Sequence, residues 1–383
     1  MRLFLLCFLL FFTSFSAFSG PVPSKDFTQW LLLQMKTYQI PGVSIVVIRD
    51  YKIDWVMGFG VKDVLTEQPV TDTTLFQAGS ISKPVAAVAV LKAVQDEQFT
   101  LDDDVNSILT AWTVPQSQFT LEDNVTIKDL LSHSAGTNIP GYIGYEQGDK
   151  LPNLLEVLNG TWPANSPPVK VINQPGMNFV YSGAGYSILQ EVLVETYHLS
   201  FTTIMDKFVL QPLSMSNSTF NQPLPAALMQ QIAKPYRPNY ESVQGGPHIY
   251  IDQAAAGLWT TPFDLAKFVI SLQEALRGNR YQVLQPEYAE LMMKPVFGNM
   301  GLGFFVNVNK YGKPSKHGHY FMHPGQNEGY RNMLIASVKD GCGAIIMTNM
   351  SPDGRLVMSG KIKDKWQFMD ALITRIAEME EWD

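Results

Sequence analysis

The sequence predicts a mixed α/β (α+β) fold in which one sheet takes strands from both ends of the chain. Two observations carry this. Strand-like runs cluster early, at residues 43–48, 54–59 and 74–78, and again late, at 300–308, 320–322, 331–337 and 343–350. Between about 98 and 290 the text mixes helical stretches with Pro/Gly loops and few alternating runs. Sheet parts of about 24–97 and 291–383 would then share one core, with the mainly helical region inserted between them.

Taken in order, residues 27–38 read as a helix and 43–48 as an apolar strand after Pro41-Gly42. The run Thr74-Leu75-Phe76-Gln77-Ala78 leads through Gly79 into Val85-Ala86-Ala87-Val88-Ala89-Val90-Leu91-Lys92, a buried helix extending to about Glu97. Pro84 falls in its first turn, where a missing N–H costs little. Residues 364–380 close the chain as an amphipathic helix.

At the start of the buried helix stands Ser80-Ile81-Ser82-Lys83. Residues at i and i+3 share a helix face, so the Ser80 hydroxyl and the Lys83 amine come within reach of each other. The positive pole of the helix favours negative charge developing at Ser80. A serine is a weak nucleophile until a neighbour takes its proton, and a desolvated lysine of lowered pKa can do so. Such pairs also occur on solvated helix faces, so further parts must be found.

Tyr181-Ser182-Gly183 supplies one, because a tyrosine near the lysine can act as phenolate and pass the proton to a leaving group. His323-Pro324-Gly325, followed by Gln326, supplies another, reading as a strand edge before a hairpin. Gly325 would allow close approach of substrate backbone, and the Gln326 and Ser80 N–H groups could form an oxyanion hole. The bland reading of Tyr181 is an ordinary core tyrosine.

The order of these three elements resembles the serine β-lactamase and penicillin-binding protein superfamily, in its class C-like branch. The likeness extends through Pro41-Gly42-Val43-Ser44-Ile45-Val46-Val47, Leu101-Asp102-Asp103-Asp104-Val105 and the stretch Thr126-Ile127-Lys128-Asp129-Leu130-Leu131-Ser132-His133-Ser134-Ala135-Gly136. Ala256-Gly257-Leu258-Trp259-Thr260-Thr261-Pro262 is similar to a further family helix start. The resemblance implies a β-lactamase/transpeptidase-like fold with an antiparallel sheet flanked by helices. It also implies Ser80, Lys83 and Tyr181 as catalytic residues, with His323, Gly325 and Gly183 beside substrate.

Two departures qualify it. Gly183 stands where the family usually has Asn, a side chain that would help hold the substrate amide and the lysine. His323 stands where class C lactamases have Lys, and imidazole is largely neutral near pH 7, so a permanent cation is missing. A His-x-Gly form resembles the peptidase and esterase members. The expectation is a serine acyl hydrolase acting on a small ester, amide or peptide. The alternatives are a D,D-carboxypeptidase, D-aminopeptidase or class C-like β-lactamase, and, in another class, a weakly catalytic muropeptide-binding scaffold.

Composition fits. The chain has 383 residues, 46% of them hydrophobic, with no linker, charge block or repeat, so residues 20–383 read as one hydrolase domain. The net charge of −7 and the lack of a basic stripe argue against nucleic acid. Residues 1–19 read as a signal peptide: Arg2, the apolar run 3–12, then Ala17-Phe18-Ser19. This predicts a periplasmic or secreted protein without a membrane span after cleavage. Cys342 would then remain alone, in a buried strand. His317, His319 and His323 could suggest zinc, but no Asp, Glu or Cys clusters with them in sequence, and neither metal nor organic cofactor is expected. No Gly-x-Ser-x-Gly elbow occurs. His133 is expected to be structural.

Overall fold

A computed structural model describes residues 23–361 and 366–383. The leader proposed for residues 1–19 lies outside them. Seven antiparallel strands form the large sheet: β1 (Gly42–Arg49), β2 (Lys52–Asp63), β3 (Gln68–Pro69), β4 (Phe305–Val308), β5 (Tyr320–Asn327), β6 (Tyr330–Ser337) and β7 (Gly343–Thr348). Their order is β3-β2-β1-β7-β6-β5-β4, so β1 pairs with β7 and the two chain ends meet at the centre. This is the antiparallel, two-ended sheet expected from the sequence.

The central strands are buried on both faces and read as continuous apolar runs. Their side chains still divide with period two. Val46, Ile48, Leu334, Ala336, Ile345 and Met347 enter one core. Val43, Ile45, Val47, Met333, Ile335 and Ile346 enter the other. The second core is capped by α1 (Lys25–Tyr38) and by a C-terminal helix, Gln367–Met379. Ser24 starts α1 by accepting the Phe27 N–H at 3.1 Å, and Gln39 ends it in the left-handed region.

The first core is the larger and holds α2 (Ser82–Gln95). Apolar on every side, α2 has to be buried all round. Against it lie α3 (Gly183–Tyr197) and the short α4 (Gln253–Ala256), while α5 (Pro262–Leu276) packs on β1, β2 and β7; all three come from the inserted region. Cys342 sits in the second core at 8% exposure, against the Tyr320 hydroxyl at 3.5 Å, and burial pushes its thiol up to about 11.

Three strand expectations need correction. The run 74–78 does not join the large sheet: Phe76–Gln77 pair with Trp259–Thr260, and Ala78 N–H donates to Leu258 O at 2.8 Å. The stretch ties α2 to the insertion instead. The run 300–308 shortens to Phe305–Val308 because Gly303 turns the chain at φ +100. The run 320–322 extends to Asn327 despite Pro324. Asn327 faces Tyr330 across a two-residue turn, so by alternation Pro324 and Gln326 point their backbone nitrogens away from β6. A proline there removes no ladder bond.

Candidate active site

Ser80 lies in a 3₁₀ turn, Gly79–Ile81, that feeds directly into α2. It therefore precedes the α-helix rather than opening it, but the i, i+3 relation holds. The Lys83 amine donates to Ser80 Oγ at 3.1 Å and to the Ala255 carbonyl of α4 at 2.9 Å. Ser80 is half-buried, whereas Lys83 is 1% exposed. Burial lowers the Lys83 pKa to about 7, against a smaller opposing pull from Asp252.

Tyr181 hydrogen-bonds Ser80 with its hydroxyl, and its ring lies 5.2 Å from the Lys83 amine. Burial raises the phenol pKa above its ordinary value, and the Ser80 bond only partly offsets this. The phenol thus keeps its proton near neutrality. That weakens the phenolate expectation and leaves Lys83 as the group able to be basic.

His323 is fully buried on β5, with Nδ1 2.7 Å from Pro324 O. Burial first, and then the Lys83 charge, lower its pKa to about 3, so the ring is neutral. Its ring centre lies 6.3 Å from that of Tyr181 and 5.7 Å from that of Phe305.

The glycines have more particular reasons than substrate access. A Cβ on Gly325 would come 2.0 Å from Ala78 O, so the close approach is to the chain entering the Ser80 turn. Gly79 has φ +57, and a Cβ there would sit 2.5 Å from Gln326 N. β5 and the Ser80 turn therefore meet backbone to backbone. The Gln326 N–H, turned away from β6, lies beside Gly79, the residue before Ser80. A Cβ on Gly183 would meet Gly141 Cα and the Tyr142 ring, each at 3.2 Å. Tyr142 thus packs over the position where the expected Asn would begin.

Several contributors lie outside the three catalytic-type motifs. His133, at φ +57, accepts the Ser182 N–H on Nδ1 at 3.0 Å and lies with its ring centre 4.3 Å from that of Tyr181. It orients the tyrosine, and its Asn-like left-handed backbone is the local reason for its position. Asn327 joins three elements, donating to Gln77 Oε1 at 2.9 Å and to Ala256 O at 3.0 Å. Ser82 Oγ donates to Gly79 O at 2.6 Å and accepts Leu258 N–H at 3.0 Å. Such polar groups are legible only once distant segments are brought together.

Outside this floor lies a cavity of about 200 Å³ whose walls include Tyr142, Tyr250, Gln326, Val357 and Met358. Towards the His323 side, Phe179 is 39% exposed and lies 6.2 Å from Phe305. Both rims are largely apolar. Among the described residues no three His, Cys, Asp or Glu gather as a metal site.

Comparison with known proteins agrees with this architecture. Protein flp of Staphylococcus aureus (strain N315) is 24% identical over 318 residues, 82% of this chain and 60% of the relative. The chain thus spans about 60% of the length of that relative. A beta-lactamase of Psychrobacter immobilis is 27% identical over 258 residues, covering 64% of this chain and 59% of its own. In fold, the chain is similar to the octameric penicillin-binding protein homologue from Pyrococcus abyssi, with TM-score 0.69, 22% identity and coverage of 88% and 76%. It is also similar to the D-alanine carboxypeptidase AmpC from Burkholderia cenocepacia, with TM-score 0.67, 20% identity and coverage of 92% and 99%. The Beta-lactamase family model matches residues 27–362, nearly the whole described chain, and the chain belongs to that family.

Proposed function

We propose that the chain is a serine acyl hydrolase in which Ser80 attacks an ester or amide carbonyl and water later releases the acyl group. The observation that carries this is the 3.1 Å contact between Ser80 Oγ and a buried lysine amine brought to about 7. A base of that strength is substantially neutral, and so competent, near physiological pH. Lys83 takes the serine proton as the C–O bond forms, and Tyr181, bonded to Ser80, relays a proton to the departing oxygen or nitrogen. The N–H groups of Ser80 and Gln326 receive the oxyanion. The reverse relay activates water for deacylation.

Among substrates, small uncharged esters suit the site best. His323 is neutral and Gly183 carries no amide, so two means of holding an anionic lactam are missing. The apolar walls at Tyr142, Met358, Phe179 and Phe305 favour alkyl or aryl groups on either side of the carbonyl. The test exposes purified protein in parallel to a p-nitrophenyl ester, a fluorescent penicillin, nitrocefin and a D-Ala-D-Ala peptide, with intact-mass detection of adducts on Ser80. Ester turnover with slow or absent nitrocefin hydrolysis is expected. Rapid D-Ala release with a long-lived penicilloyl adduct would make it a D,D-peptidase instead. Fast nitrocefin turnover would make it a lactamase. No reaction with any of them, together with tight muropeptide binding, would favour the scaffold.

A further inference from the structure

The amine of Lys83 rests on two neutral acceptors, Ser80 Oγ and the Ala255 carbonyl. Burial against neutral groups drives a lysine towards permanent neutrality, and a lysine of too little proton affinity is a poor base. Something must hold its basicity up. Three residues before Ala255, at the start of α4, stands Asp252, 1% exposed. Its side chain does not cap the helix, and beyond its own amide neither carboxylate oxygen meets a donor from another residue among the described residues. Buried carboxylates are ordinarily satisfied by donors, so an unsatisfied one calls for a reason.

The backbone around it is fixed. Asp252 O accepts the Ala255 and Ala256 N–H groups, each at 3.0 Å. Gln190 of α3 accepts Ala254 N–H at 3.0 Å and donates to Ile251 O at 3.1 Å. Asn327 of β5 holds Ala256 O from the other side. The titratable groups that feel the Asp252 charge are Lys83 from α2, Tyr142 and Tyr145 from the insertion, and Tyr250 just before α4. Tyr250 in turn faces Glu328 of the β5–β6 hairpin. Burial raises the pKa of each of these tyrosines, which keeps them neutral. His133 and His323, which feel the Lys83 charge, are held neutral by burial too. Of these groups Lys83 is the one that takes up positive charge near neutrality.

We propose that Asp252 is a positioning residue for proton transfer, a buried counter-charge that keeps Lys83 basic enough to take the Ser80 proton. The role rests on Lys83 acting as the base proposed above. Consistent with it, each group opposes the effect of burial on the other, and burial raises the Asp252 pKa to about 7, where Lys83 also lies. The two then titrate as a coupled pair.

The test is the rate at which a fluorophosphonate labels Ser80 in the full chain, measured from about pH 5 to 10, a span that brackets the base. Wild type, Asp252→Asn, Asp252→Ser and Asp252→Glu are compared. Wild type should lose reactivity on an acid limb centred near 7. Without the counter-charge the limb should move roughly one pH unit lower. Below the limb the neutral variants then label about tenfold faster relative to their own plateau, and the plateau drops a few-fold because the base is weaker. Asp252→Glu should keep the wild-type limb. An unmoved limb in folded Asn or Ser variants overturns the proposal whatever happens to the plateau. So does a result in which Glu folds but neither neutral variant does, since the carboxylate would then be structural. Absence of an acid limb in wild type, or no labelling of Ser80 at any pH, would remove Lys83 as the base and this role with it. An intact limb that ignores Asp252 would remove this role alone.

Discussion

The floor of the cleft and its rim are built by different rules. Beneath Ser80, α2, α4 and β5 are joined by short buried bonds through Ser82, Asn327 and Ala255, and the glycines at 79 and 325 bring main chains into direct contact. At the rim, Tyr142, Phe179 and Met358 are partly exposed and meet their neighbours mainly through apolar surface. Where position is specified by directional bonds, a substitution should alter rate. Where it is specified by apolar contact, a substitution should alter which substrate is held.

The strongest way to test that contrast is Ser80→Ala. Its removal should cost about 10⁶ in turnover of a p-nitrophenyl ester, as for other nucleophiles acting in a unit, with the melting temperature preserved. Residual activity close to wild type would show that the nucleophile is elsewhere. Next, Lys83→Arg should be nearly inactive, because a guanidinium cannot give up its proton in this range. Tyr181→Phe should lose roughly 10²–10⁴ in kcat, the usual worth of a proton-transferring group. A value within twofold of wild type would reduce Tyr181 to a core residue.

Acidity supplies a third measurement. Lys83 must be unprotonated to act, so kcat/KM should fall about tenfold per pH unit below its pKa of about 7. The sign for stability is separate. An amine whose folded pKa is depressed binds fewer protons folded than unfolded between about 7 and its ordinary 10.5, so its contribution to stability rises with pH across that window. A flat rate profile between pH 5 and 8 would contradict the base assignment.

Asn327→Ala removes two buried bonds from the floor and should destabilise by about 2 kcal/mol, read by urea denaturation, with a parallel loss of rate. The smallest effect belongs to the rim. Phe179→Ala should raise KM for an aryl ester about fivefold while leaving kcat nearly unchanged, since a partly exposed apolar face falls at the low end of such contacts, about 1 kcal/mol. An equal fall in kcat would mean that the rim takes part in positioning, and the contrast between the two regions would fail.

Much of the floor was legible before any coordinates. A serine and a lysine at i, i+3 on an apolar helix have their relationship written locally, and the central strands announce themselves by apolar runs. The extent of β5 was not legible, because whether Pro324 breaks a ladder depends on which way its nitrogen points, and that is set by the register against β6. The run 74–78 failed for a similar reason: its partners, Trp259–Thr260, lie in the insertion rather than in a neighbouring strand. Tyr142 over Gly183, and Asp252 at the start of the helix whose Ala255 carbonyl holds Lys83, were invisible for want of any local pattern. Each matters only through a residue far away in sequence.

The meeting of Gly79 with Gln326 and of Gly325 with Ala78 has a bearing on how such a cleft can diversify. Anchoring the proposed oxyanion donors through main-chain atoms makes their geometry independent of nearly every side chain nearby. A library randomised at Tyr142, Phe179, Val357 and Met358 should therefore sample new substrates without retuning the chemistry. One that touches Gly79 or Gly325 should return almost no active clones, because any added Cβ meets peptide atoms that cannot step aside. The division between fixed and variable positions is thus drawn by where the backbone leaves room for a single carbon.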